Sequence, residues 1–92
     1  MRVEHDTATS RFLVRVPEGV ATLRYSMPSL RLMDIESTFV PSAARGRGVG
    51  AALVEQALEH ARNQGYEVIP SCWYVKRWVE RHPDYAGLLR DR

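Results

Sequence analysis

The 92-residue chain is poor in cysteine and in lysine: Cys72 is its single thiol and Lys76 its single lysine, so twelve of its thirteen basic residues are arginine. One cysteine excludes an internal disulfide and any metal site built on a cysteine cluster, and it fits a reducing compartment. The three histidines, His5, His60 and His82, show no ligand spacing, so no metal is expected. No apolar run approaches the roughly 20 residues that a membrane span requires. The opening stretch MRVEHDTATS is polar and charged, which gives no secretory signal and an expected cytoplasmic location. The net charge is only +2 and no basic run occurs, so neither a nucleic-acid partner nor a membrane partner is expected. The length suits one domain, residues 1–92, as a monomer or weak homodimer, with a thin core of one small sheet and a helix or two.

The first forty residues alternate with period two. Phe12, Val14 and Val16 fall on one face of Arg11–Val16, and Leu23, Tyr25 and Met27 on one face of Val20–Met27, with Pro28-Ser29 as a break. Val3–Asp6 reads as an opening strand and Leu30–Val40 as a fourth. The period then becomes helical: Val49, Leu53, Ala57, Leu58 and Ala61 form an apolar stripe, and Gly65 stands where a helix ends. Glu67–Pro70 is a short strand. A second amphipathic helix carries Tyr74, Val75, Trp78 and Val79 and stops at His82-Pro83. A strand, a helix and a strand in succession make the flanking strands parallel. The fold class is therefore α+β, an antiparallel meander followed by a βαβ unit and a C-terminal helix.

Between the fourth strand and the first helix lies Arg45-Gly46-Arg47-Gly48-Val49-Gly50. A helix N-terminus carries unpaired N–H groups and about half a positive charge. Glycines let an anion reach those groups, and Arg45 and Arg47 add charge-assisted hydrogen bonds. The stretch predicts a phosphate or diphosphate cradle. A P-loop is excluded because no Gly-Lys-Ser/Thr occurs. Gly46, Gly48 and Ala51 formally satisfy the dinucleotide fingerprint, but PSAAR separates them from the strand, no acidic residue follows Glu67–Pro70, and the chain is too short for a doubly wound sheet.

The same hexapeptide matches the Arg/Gln-x-x-Gly-x-Gly/Ala signature of the GNAT N-acetyltransferase superfamily. The stretch Thr38–Tyr85 resembles the small stand-alone GNAT-like domains of YjdJ type. The resemblance implies two parallel strands that splay apart and bind acetyl-CoA as cosubstrate. It implies a pyrophosphate on the backbone of Arg45, Gly46, Arg47, Gly48, Val49, Gly50 and Ala51. The pantetheine then lies along Thr38, Phe39 and Val40 as an added strand, with Tyr74 flanking it. The pattern departs at Ser37, where these small domains usually carry His.

Cys72 follows the second parallel strand and is expected in the first turn of the second helix, where the dipole favours a thiolate. In the implied geometry it lies near the thioester, either as a nucleophile or as a small buried residue. Glu36, on the strand leading to the cofactor edge, is a general-base candidate or an outward carboxylate. His60 reads as a rim residue and His82 as a helix stop. The expected function is transfer of acetyl from acetyl-CoA to an amine or thiol acceptor. The alternative is a non-catalytic acyl-CoA-binding or sensing module.

Overall fold

A computed structural model describes residues 1–90. Residues 91 and 92, the end of the expected domain, lie outside the described residues. The strands are β1 (Glu4–Asp6), β2 (Arg11–Val16), β3 (Gly19–Ser29), β4 (Leu32–Phe39) and β5 (Glu67–Pro70); the helices are α1 (Val49–Gln64) and α2 (Trp73–Glu80). Short 3-10 turns occupy Ser42–Ala44 and Pro83–Leu88. The five strands form one sheet in the order β1-β2-β3-β4-β5, antiparallel up to β4 and parallel between β4 and β5.

The α+β architecture and the parallel βαβ unit agree with the sequence pattern. The strand bounds shift at the β3–β4 hairpin. Expected to break at Pro28, β3 instead runs through it to Ser29, because Pro28 sits inside a register shift between Ser26 and Ser29, where the missing N–H breaks no regular ladder. Residues 30 and 31 then form the hairpin tip, so β4 begins at Leu32 rather than at Leu30.

Alternation builds the core. Phe12, Val14, Leu23, Tyr25, Met33 and Ile35 point to one sheet face and share a cluster with Leu53, Leu58, Val75 and Val79 of the two helices. Leu53 and Leu58 are fully buried, and burying such a side chain contributes about 1.5–3 kcal/mol. Gly65 ends α1 in the left-handed region at φ 75°, its N–H donating to the carbonyls of Ala61 and Arg62. On the opposite face the ion pairs Arg15–Glu4 (3.0 Å) and Arg11–Asp6 (4.0 Å) tie β2 to β1.

One departure from regular pairing positions the site. The β4–β5 ladder runs only from Leu32–Glu67 to Ile35–Pro70, whereas β4 stays paired with β3 as far as Phe39. Glu36 is skipped between the Arg24–Ser37 and Tyr25–Ile35 pairs, a bulge that bends β4 just where the ladder ends. The Cys72 N–H then donates to the Ile35 carbonyl at 2.9 Å and turns the chain into α2. Beyond Ile35, β4 runs on to Phe39 alone while the chain after Pro70 turns away into α2, and the two form a V.

Candidate functional site

The V opens onto a groove of about 580 Å³. Thr38 and Val40 form one wall, and Cys72, Trp73 and Tyr74 the other. Arg45, Gly46, Gly48, Val49 and Gly50 close the end. Volumes of this size are usual for small-molecule sites, roughly 300–1,000 Å³.

The cradle follows from its glycines. Gly46 and Gly48 adopt φ 85° and 79°, a left-handed backbone that side-chain-bearing residues rarely take, and a Cβ on either would meet nothing within 4 Å. Gly48 is the N-cap of α1 and supplies no side-chain acceptor. The first cap bond runs from the Ala52 N–H to the Gly48 carbonyl at 3.0 Å. The N–H groups of residues 46–51 therefore find no acceptor among the described residues. An unpaired row of donors at the positive end of a sixteen-residue helix is a ready anion site.

The two arginines differ. Arg45 lines the groove, its Nε donating to the Val40 carbonyl at 3.1 Å. The Arg47 side chain is not part of the lining. Its Nη2 donates to Glu18 Oε1 at 2.7 Å and its Nε to the Ala44 carbonyl at 3.5 Å. That contact holds the Glu18 carboxyl below its ordinary range. Arg47 thus ties the cradle to the β2–β3 turn, a partnership across 29 residues that no local pattern in the sequence signals.

Gly50 has a steric reason. A Cβ there would stand 3.1 Å from Tyr74 Oη and 3.3 Å from the ring. Tyr74 of α2 thereby packs directly on the first turn of α1. Trp73 beside it is 71 % exposed and Phe39 is 55 % exposed.

Cys72 is the N-cap of α2, one position before the first turn expected for it. It is 8 % exposed, and its Sγ donates to Thr38 Oγ1 across the groove at 3.7 Å. Thr38, opposite Leu23 in the ladder, faces the helix side. Glu36 does not line the groove and is exposed at the bulge, one residue past the end of the β4–β5 ladder.

A second constellation escaped the sequence reading. His5, Phe12, Tyr25, His60 and Tyr66 form one aromatic cluster. In it His5 stacks on Phe12 at 4.0 Å, meets His60 edge-on at 4.6 Å and shares a 2.6 Å hydrogen bond with Tyr25 Oη. His60 is therefore a packed residue rather than a solvated rim position. Burial lowers the pKa of His5, with His60 adding to the effect and Asp6 opposing it. Burial likewise lowers that of His60. The available signal was the alternation Val3–His5 across from Phe12. Among the described residues no group of three His, Cys, Asp or Glu side chains is arranged to hold a metal ion. No helix there is long and apolar enough to cross a membrane.

Comparison with known proteins bears on this arrangement. The model of a family described as GCN5-related N-acetyl-transferase matches residues 11–88. Protein NATD1 of Homo sapiens is 34 % identical over 85 residues, covering 90 % of this chain and 75 % of that protein. Glucosamine 6-phosphate N-acetyltransferase 1 of Oryza sativa subsp. japonica is 37 % identical over 71 residues, covering 76 % of this chain and 42 % of that one. The solution structure of a GCN5-like protein from Staphylococcus aureus superposes with a TM-score of 0.77 at 24 % identity, covering 99 % of this chain and 89 % of that one. At that identity the superposition speaks for the fold.

Proposed function

The chain belongs to the GCN5-related N-acetyltransferase family, and from that membership we propose that it binds acetyl-CoA in the V-shaped groove and passes the acetyl group to an amine or thiol. The observation that carries this reading is the unpaired N–H row of residues 46–51 at the mouth of a groove whose β4 edge is also free. The fit is chemical on both counts. A diphosphate needs several donors and open space, and the left-handed glycines supply both. A pantetheine arm carries amides, and the stretch of β4 beyond Ile35, unpaired toward β5, offers them a strand edge. Acetyl-CoA supplies an acetyl group already activated as a thioester.

The chain's own residues divide the remaining work. Arg45 adds positive charge at the cradle, and Arg47 holds the loop in place through Glu18. Tyr74 fixes the spacing between the two helix N-termini. Cys72 Sγ, bonded to Thr38 Oγ1 at 3.7 Å, is the candidate acceptor of the acetyl group: its new thioester forms as the bond to the CoA sulfur breaks, and the Cys72 proton leaves on the CoA thiol. Glu36, exposed at the bulge outside the groove lining, is the candidate base for an amine that approaches from that outer side. The rice relative is named for an N-acetyltransferase acting on a phosphorylated amino sugar, which favours an amine as the final acceptor.

Intact-mass analysis after incubation with acetyl-CoA tests the assignment. The wild type is expected to gain one acetyl group located on Cys72, and Cys72→Ala to gain none while still binding acetyl-CoA. Equal labelling of the mutant would remove Cys72 from the reaction. Binding by both proteins with no labelling and no acetylated amine would instead favour a non-catalytic acyl-CoA-binding module, a reading that the low exposure of Cys72 keeps open.

A further inference from the structure

A second cavity, of about 660 Å³, flanks the same turn that carries Cys72. Ile69, Pro70 and Ser71 belong to its wall, whereas Cys72, Trp73 and Tyr74 line the groove already described. After the last 3-10 turn, Leu89 bridges Val68 in parallel and the Arg90 N–H donates to the Val68 carbonyl at 2.8 Å. The next bond of such a ladder would run from the N–H of residue 70 to the Arg90 carbonyl, and proline has none to give. The pairing therefore gains no bond at residue 70, and a gap lies between Arg90 and Lys76 of α2.

The chemistry of the gap is one-sided. Ile69, Pro70 and Leu89 make an apolar floor, Ser71 adds a hydroxyl, and Lys76 and Arg90 are the charged groups. Among the described residues no carboxylate lines the cavity. Among the described residues Lys76 makes no ion pair, and Arg90 meets Glu67 only at 3.7 Å. Two cations beside an apolar floor select a ligand with an acid end and an apolar body, since charge-assisted bonds to carboxylate or phosphate are the strong ones available there.

We propose that this cavity binds the carboxylate or phosphate end of a small molecule, and that this molecule is the acetyl acceptor, an amine that also carries an acid group. The second half rests on the acetyl-transfer reading above. Ser71 is bonded directly to Cys72, so a ligand standing against Ser71 is one residue from the thiol. The cavity then sets acceptor specificity.

Amide chemical shifts of the ¹⁵N-labelled protein test the site without any turnover. The probes are 3-phenylpropionate for a carboxylate, phenyl phosphate for a phosphate and benzylamine as a cationic control. At least one acid probe is expected to shift Ile69, Ser71, Lys76 and Leu89 saturably, and which acid does so identifies the preferred end group. Benzylamine is expected to leave these amides in place. Lys76→Gln, on the exposed side of α2, weakens the acid probe about tenfold, the loss of one charge-assisted bond. No saturable shift at these amides, or equal shifts from benzylamine, overturns the site. For the acceptor role, phenylalanine is compared with phenethylamine in acetyl-CoA turnover. The carboxylate-bearing amine is expected to have the lower KM, raised by Lys76→Gln with kcat little changed. Equal KM values overturn the acceptor role. Saturable acid binding with no acetylation of either amine overturns the role too, and counts against acetyl transfer rather than against the acid site.

Discussion

Replacing Gly48 by alanine separates backbone geometry from packing. An added Cβ would meet nothing within 4 Å, so no clash contributes, but the residue sits at φ 79°. Holding an L-residue in that left-handed conformation costs about 1–2 kcal/mol, and the loop must either store that cost or relax. As far as it relaxes, the N–H groups of residues 46–51 lose their common aim. Losing one charge-assisted hydrogen bond to a phosphate oxygen costs about 1.5–3 kcal/mol. Gly48→Ala is therefore expected to lower unfolding stability by about 1–2 kcal/mol and to weaken acetyl-CoA binding by roughly ten- to a hundredfold. Gly87→Ala is the matched control, since Gly87 also has open space but no positive φ. Urea denaturation and isothermal titration calorimetry read the two effects. If Gly48→Ala behaves like Gly87→Ala in both, the cradle argument is wrong.

Three further outcomes follow from the packing. Leu53→Ala empties a fully buried position under α1 and is expected to cost about 2–5 kcal/mol in urea melts; a loss below 1 kcal/mol would mean the core is not closed there. Gly50→Ala crowds Tyr74 Oη at 3.1 Å and is expected to destabilise more in the native background than with Tyr74→Phe, by about 0.5 kcal/mol or more of coupling; additive losses would contradict the contact. The His5–His60 pair makes stability depend on pH. Both pKa values are lowered from 6.5 in the folded state, chiefly by burial, so the unfolded chain binds more protons below 6.5 and stability falls as pH drops through that value. Denaturation midpoints are expected to fall between about pH 7.5 and 5.5, less so in His60→Phe; a flat profile in the wild type would refute the burial of these rings.

What was legible in the sequence depended on local rules. The bounds of α1, the Gly65 cap and the phase of β2 follow from patterns spanning a few residues, and each stands as expected. The end of the β4–β5 pairing was implied only by family resemblance, because the bulge at Glu36 depends on the register of β4 against β3. Arg47 illustrates the same limit. Its position beside the glycines suggested an anion contact, yet its guanidinium is directed to Glu18 on a distant turn. The His5 cluster depends on the pairing of a three-residue edge strand, which composition cannot register. Pro28 read as a strand break because the bulge that accommodates it has no sequence signature of its own.

In the proposed function the glycine cradle and the V-shaped groove together hold acetyl-CoA. Native mass spectrometry of the wild type and of Arg45→Glu with acetyl-CoA, at matched concentrations, tests it most directly. A one-to-one complex is expected for the wild type and its loss in Arg45→Glu, where a carboxylate faces the diphosphate. No complex with the wild type, or an undiminished one with Arg45→Glu, would contradict it.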